Sequence, residues 1–139
     1  RYWDKEMNGL EQSWSADYAH LYGRDPVVFC NPPYSGGQYG DWLEKAAWES
    51  FENRVTSVLL VPASLETKNY DPVWEEASHL IIPYKRISYL TPDGTPAKGN
   101  TFLSAICVFA THLDYEIDMT PALSIGSVID LWGGLLNRR

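Results

Sequence analysis

The residues best suited to chemistry are the four in the run Asn31-Pro32-Pro33-Tyr34. The Asn31 side chain offers a carbonyl oxygen that can accept a hydrogen bond from an N–H group. Two consecutive prolines restrict the backbone, so that a peptide carbonyl is held as a second acceptor at low entropic cost. Tyr34 offers a flat aromatic face on which a base could stack. We therefore predict that Asn31, Pro32, Pro33 and Tyr34 form a catalytic site for a planar amine.

The chemistry that such a site favours is transfer of a methyl group. Two acceptors aimed at one exocyclic NH₂ group orient the nitrogen lone pair out of the ring plane, as attack on an electrophilic methyl group requires. No strong general base is needed before transfer, because the methylated nitrogen is cationic and loses its proton afterwards. A proline-stiffened loop with a packed tyrosine is the competing structural interpretation.

The sequence around this loop favours the functional interpretation. Residues 27–30 are apolar and predict a buried strand, which must end at the two prolines because proline donates no ladder hydrogen bond. Apolar residues between positions 39 and 51 recur at three- and four-residue steps and predict a helix, with Asp41 and Glu44 as a capping pair. Ligands of open α/β sheets bind where strands end and helices begin, so the loop is expected to face the site.

Further elements follow the same alternation of strand and helix. Residues 55–61 predict a second strand, and Asp71-Pro72 predicts the start of a second helix that carries Val73, Ala77 and Leu80 inward. Residues 80–82 predict a third strand. This order is typical of an α/β sheet with parallel crossovers.

The later part of the chain predicts a change of topology. Residues 85–90 alternate and residues 102–110 form a long apolar run, so we expect an antiparallel hairpin at the end of the sheet. Residues 123–136 are weakly amphipathic and predict a helix in the C-terminal tail. We divide the chain into a catalytic domain at residues 1–112 and a tail at residues 113–139.

The sequence resembles the phage-type DNA N-6-adenine methyltransferase (Dam) family over about residues 1–110. Beyond the tetrapeptide, the resemblance rests on several blocks: Arg1-Tyr2-Trp3, Asn8-Gly9-Leu10 with Trp14, Trp42 and Lys45-Ala46, Leu60-Val61-Pro62-Ala63, Thr67, residues 85–89 and residues 102–109. It implies a Rossmann-like methyltransferase sheet that uses S-adenosyl-L-methionine and acts on adenine in DNA. Asn31 and the Pro32 carbonyl would then hold the adenine amino group, and Tyr34 would stack on a base flipped out of the duplex.

The resemblance also implies a set of DNA-contacting residues and a bacterial or phage-infected host cell. Lys85 and Arg86 are expected to reach phosphates, Thr67 is expected to face DNA, and Ser35 with its neighbouring glycines is expected to let the loop close over a base. The family's acidic strand-end segment, which helps to form the cofactor pocket, has no counterpart in this sequence. We expect it to lie upstream of Arg1, and the cofactor-binding residues stay unknown.

Composition excludes several other classes. The formal net charge of −7 excludes a uniformly basic nucleic-acid grip, although Lys85, Arg86 and Lys98 against Asp93 give residues 84–100 a local balance of +2. No apolar run reaches the roughly 18 residues of a membrane span. Two cysteines in apolar runs favour a reducing cytosolic compartment over a disulfide scaffold. The three histidines lack metal-ligand spacing, and no metal site is predicted.

Two alternatives stay open at this stage. The same loop would serve a methyltransferase acting on another planar amine, such as RNA adenine, cytosine N4 or a glutamine side-chain amide. A non-catalytic nucleic-acid-binding remnant that has lost its cofactor half belongs to a different class. Product analysis separates the first alternative from the DNA adenine enzyme, and cofactor binding separates both enzymes from the remnant.

Overall fold

The computed structural model describes residues 6–15, 23–90, 93–95, 102–111, 128–130 and 134–135. In chain order its strands and α-helices are β1 (Val27–Cys30), α1 (Tyr39–Asn53), β2 (Thr56–Pro62), α2 (Asp71–Glu76), β3 (His79–Ile81), β4 (Ser104–Phe109), β5 (Val128–Asp130) and β6 (Gly134–Leu135). Short 3-10 turns at Ser35–Gly37 and Lys68–Tyr70 precede the two helices. In these ranges neither helix has the length and apolarity needed to cross a lipid bilayer.

The first crossover follows the predicted pattern. β1 and β2 are parallel neighbours, in a register that runs from Val27 opposite Thr56 to Cys30 opposite Leu59. α1 connects them and buries Tyr39, Leu43, Ala46 and Ser50, which recur at the spacing of one helix face. The predicted α/β class is confirmed by this arrangement. The predicted burial of β1 is wrong, because β1 lies at one end of the described sheet and leaves Val27 and Phe29 each 69% exposed.

The predicted capping pair of α1 is wrong. The helix begins at Tyr39, and its N-cap is Gln38, which makes no side-chain capping hydrogen bond. Asp41 therefore lies inside the first turn, and Glu44 lies a turn further on. A carboxylate in the first turn still favours the helix, because it faces the positive end of the helix dipole.

The predicted terminal hairpin is also wrong. The sheet order is β1-β2-β4-β3-β5-β6, so β4 lies between β2 and β3 and is antiparallel to both. Residues 85–89 are irregular, and Leu90 forms only an isolated bridge. β4 is apolar at successive positions, with Ala105, Cys107 and Phe109 buried on one side. A strand that is apolar on both faces is more stable inside a sheet than at its end.

Two more predictions need correction. α2 spans only Asp71–Glu76, so Ala77 follows the helix and Leu80 lies on β3. The predicted burial is confirmed, because Val73, Ala77 and Leu80 are all fully buried. In the tail, Val128–Asp130 and Gly134–Leu135 are strands rather than helix, and β5 pairs with β3. β5 forms by pairing with β3, which is far away in sequence, and a weak local periodicity does not predict such a pairing. The rest of the predicted tail lies outside the described residues.

A buried carboxylate fastens residues 6–15 to α1. Glu49 is fully buried, and its Oε1 accepts hydrogen bonds from the Trp14 backbone N–H at 3.1 Å and from Lys45 Nζ at 2.8 Å. Its Oε2 accepts one from Asn53 Nδ2 at 2.8 Å. The same Lys45 ammonium lies 5.0 Å from the centre of the Trp48 ring and 5.9 Å from that of Trp14. Both carboxylate oxygens of Glu49 thus accept hydrogen bonds, and the Lys45 ammonium supplies the opposite charge.

We predict that Glu49→Ala lowers the free energy of unfolding by about 3 kcal/mol, because breaking a buried ion pair leaves Lys45 and two donors without their acceptor. Urea unfolding, followed by tryptophan fluorescence, measures the change. Glu52→Ala, which removes an exposed carboxylate from the same helix, is the matched control and should shift the midpoint little. Equal midpoints for the two variants would contradict the stabilising role of Glu49.

Candidate active site

The Asn31-Pro32-Pro33-Tyr34 loop lies at the carboxyl end of β1, as the sequence predicts. β2 is parallel to β1 and continues to Pro62, so the ends of both strands meet at one edge of the sheet. Asn31 is exposed, Pro32 is buried and Tyr34 is half-buried. The chain then turns into α1 through two glycines with positive φ angles, Gly36 at 67° and Gly37 at 76°, a conformation that residues with a Cβ rarely adopt.

The Tyr34 hydroxyl joins the loop to the sheet. It donates a hydrogen bond to Asn31 Oδ1, and it lies 3.0 Å from the Leu60 carbonyl oxygen on β2. The Phe102 ring packs edge-to-face against the Tyr34 ring, with ring centroids 5.5 Å apart and an interplanar angle of 86°. Asn31 and Tyr34, the two predicted side chains of the tetrapeptide, are therefore in direct contact.

Two residues without a predicted role complete this group. The Tyr89 hydroxyl oxygen lies 3.2 Å from that of Tyr34 and 3.1 Å from Ser104 Oγ. Ser104 begins β4 and is 2% exposed. Tyr89, Phe102 and Ser104 fall within the sequence blocks that resemble the Dam family, and their place in those blocks is the signal in the sequence that marks them.

Burial determines the protonation of the groups around the loop. It raises the pKa of the Tyr34 hydroxyl well above its usual value, so this group stays a neutral donor at physiological pH. Burial also raises the pKa of the Cys30 thiol to about 12. A thiol with that pKa is protonated at neutral pH and is a weak nucleophile, which supports a structural role for Cys30.

Thr67 and Ser35 lie on adjoining loops. The Thr67 hydroxyl donates to the Ser64 carbonyl at 2.9 Å and lies 3.4 Å from the Tyr39 hydroxyl at the start of α1. Ser35 is exposed in the 3-10 turn after Tyr34. The loops after β1 and β2 also touch, because Asn69 Nδ2 donates to the Gly37 carbonyl at 3.4 Å. The structure therefore brings the Thr67 loop to the tetrapeptide loop, with the Thr67 hydroxyl bound locally.

Lys85 and Arg86 lie on an irregular segment, residues 82–89, that follows β3. Both side chains are exposed, and neither contacts Asn31 or Tyr34 in the described part of the chain. Their link to the site is indirect, because the same segment continues to Tyr89 and its hydroxyl contact with Tyr34. Lys85 and Arg86 are free to meet a ligand that approaches this side of the sheet.

A cavity of about 610 Å³ lies between α1 and α2. Its lining includes the carboxylates Asp41, Glu44, Asp71, Glu75 and Glu76, whereas Lys68 is its one cation. Residues 31–34 do not line it. The excess of carboxylates favours a cationic over an anionic ligand in this cavity. Among the described residues, no group of three or more His, Cys, Asp or Glu side chains is arranged to hold a metal ion.

Comparison with known proteins identifies a family for this chain. The family model described as DNA N-6-adenine-methyltransferase (Dam) matches residues 1–130, which extends beyond the resemblance found in the sequence. Searches of curated proteins and of solved structures find no significant match. The family match covers nearly the whole chain and includes the tetrapeptide loop, the Tyr89 segment and β4. The chain therefore belongs to the DNA N-6-adenine-methyltransferase (Dam) family.

Proposed function

We propose that this chain methylates the exocyclic N6 of a flipped-out adenine in DNA, with the Asn31-Pro32-Pro33-Tyr34 loop as its catalytic site. The observation that carries the proposal is the contact between Tyr34 and Asn31 at the carboxyl end of β1. An amide oxygen has two lone pairs, and the Tyr34 hydroxyl occupies one of them. The second lone pair of Asn31 Oδ1 is left to accept a hydrogen bond from the substrate amine.

The backbone supplies the second acceptor in this proposal. Pro32 is buried and Pro33 is exposed. Proline fixes φ in both residues, and the Pro32 carbonyl can therefore be held at low entropic cost. An adenine amino group bound by this carbonyl and by Asn31 has both N–H bonds directed by the protein, which leaves the nitrogen lone pair facing out of the ring plane.

The substrate base must leave the helix stack to reach these acceptors. In duplex DNA the amino group of adenine is paired and its ring is stacked, so an enzyme that modifies the base extrudes it. The Tyr34 ring, held edge-on by Phe102, supplies an aromatic surface for the extruded base. Lys85 and Arg86 on the irregular segment, with Ser35 and Thr67 on the adjoining loops, are the proposed DNA contacts.

S-adenosylmethionine is the methyl donor that the family implies. The cavity described above is lined mainly by carboxylates and not by residues 31–34. For this reason a non-catalytic nucleic-acid-binding remnant is the second candidate function. The two candidates differ in whether the chain yields a methylated base.

We predict that DNA incubated with the chain and S-adenosylmethionine acquires N6-methyladenine, detected by mass spectrometry of its nucleosides. Asn31→Ala should reduce the product at least 100-fold, because it removes the side-chain acceptor for the amine. Gln38→Ala is the matched control, since it deletes an exposed amide from the same loop that makes no capping hydrogen bond. Full activity of Asn31→Ala would reject the site, and blank products with DNA, RNA and protein substrates would favour the remnant.

We predict that Cys30→Ala retains methyl transfer within about threefold of wild type. The thiol is protonated at neutral pH because burial raises its pKa to about 12, and direct transfer to an amine needs no enzyme nucleophile. Initial rates at saturating DNA measure the effect. Loss of activity comparable to that of Asn31→Ala, in a variant with an unchanged unfolding midpoint, would show that Cys30 takes part in the chemistry.

We predict that the double change Lys85→Ala with Arg86→Ala weakens DNA binding and flattens its dependence on salt. Each phosphate contact contributes about −0.9 to the slope of log K against log salt concentration, so the double variant should lose up to about 1.8. Lys68→Ala, which removes an exposed cation from the acidic cavity, is the control and should leave the slope unchanged. An unchanged slope in the double variant would remove these two residues from the DNA interface.

A further inference from the structure

We propose that Tyr89 is a positioning residue, which holds the Tyr34 hydroxyl in the direction that fixes the Asn31 acceptor. This inference rests on the proposed function, in which Asn31 Oδ1 binds the substrate amine. It assigns a role to a tyrosine that is 55 residues away from Tyr34 in the chain. Ser104, buried at the start of β4, anchors Tyr89 in turn.

The direction of the hydrogen bonds follows from counting protons. The Tyr34 hydroxyl approaches Asn31 Oδ1 and the Leu60 carbonyl oxygen, and both of these atoms can only accept. The single proton of Tyr34 must therefore point toward them. Its oxygen then has a lone pair facing Tyr89, so the Tyr89 hydroxyl has to be the donor in the 3.2 Å contact.

The same count extends to Ser104. Once the Tyr89 proton points to Tyr34, the Tyr89 oxygen can only accept from Ser104 Oγ, 3.1 Å away. The three hydroxyls thus form a chain with one direction, from Ser104 through Tyr89 and Tyr34 to Asn31. Ser104 is 2% exposed, so water does not readily replace this first donor.

Asn31 depends on this chain because its side chain is exposed. Within the described residues, the Asn31 side chain accepts a hydrogen bond from the Tyr34 hydroxyl. An exposed amide without it would rotate among several rotamers and present its oxygen to the substrate only part of the time. A hydroxyl held from behind by Tyr89 keeps the oxygen in one direction before the base arrives, which is the condition for an efficient transfer.

Tyr89→Phe tests this role, since it removes the hydroxyl and keeps the ring. We expect kcat for adenine methylation to fall about tenfold and KM for DNA to change less than twofold, because the altered group orients the acceptor and does not bind the phosphates. Tyr84→Phe is the matched control, because Tyr84 is 74% exposed on the same segment and should leave both constants unchanged. A Tyr89→Phe variant with unchanged kcat, or with the loss confined to KM, would overturn the proposal.

A double variant separates positioning from a general loss of structure. Tyr89 acts through the Tyr34 hydroxyl, so Tyr89→Phe should cost nothing further in a Tyr34→Phe background. A second tenfold loss in that background would show that Tyr89 acts by another route and would overturn the proposal.

A final measurement does not require activity. In ¹⁵N-asparagine-labelled protein, the side-chain amide signals of Asn31 are assigned from their loss in Asn31→Ala. They should shift or broaden in Tyr89→Phe and stay in place in Tyr84→Phe. Unchanged Asn31 signals in Tyr89→Phe would overturn the positioning role. If the Asn31 signals change in Tyr89→Phe but the wild-type chain forms no N6-methyladenine, the proposed function is rejected and the hydroxyl chain is still supported.

Discussion

The site depends on the difference in length between two neighbouring strands. β1 stops at Cys30 because two prolines follow Asn31, whereas β2 continues to Pro62. The last pair in their register is Cys30 with Leu59, so the Leu60 carbonyl lies one residue beyond the point where β1 accompanies β2. The Tyr34 hydroxyl binds this carbonyl at 3.0 Å. The prolines that end β1 thereby place Tyr34 within reach of the Leu60 carbonyl, and Tyr34 in turn binds Asn31.

Local sequence signals were enough to predict the first half of the fold. The helical spacing of α1 and the β-branched run of β2 report burial that is decided within a few residues. The apolar run of β1 predicts the strand but not its surroundings, because Val27 and Phe29 are exposed at the end of the described sheet. These three elements also place the tetrapeptide, because a loop between a strand and its crossover helix must lie at the carboxyl edge of the sheet. The position of Asn31 and Tyr34 at this edge could therefore be predicted from the sequence, whereas their chemistry stays a prediction.

The second half depends on pairings that local signals do not contain. The composition of β4 shows that it is apolar on both faces, but the choice of β2 and β3 as neighbours is made between residues far apart in sequence. The alternation at residues 85–90 resembles a strand, yet the segment is irregular. Part of the alternation reflects a side-chain contact and not a strand, because the Tyr89 hydroxyl contacts those of Tyr34 and Ser104. The contribution of Tyr89 could not be predicted for the same reason.

The irregular segment connects the two tasks of the proposed enzyme. Its exposed Lys85 and Arg86 are the proposed phosphate contacts, and Tyr89, a few residues later, holds the hydroxyl that orients Asn31. A regular strand at these positions would have its backbone fixed by ladder hydrogen bonds on at least one side. In the irregular segment the hydroxyl chain through Tyr89 supplies contacts to β4 and to the tetrapeptide loop. In the proposed function, the phosphate contacts and the residue that orients the Asn31 acceptor therefore lie only three residues apart, between Arg86 and Tyr89.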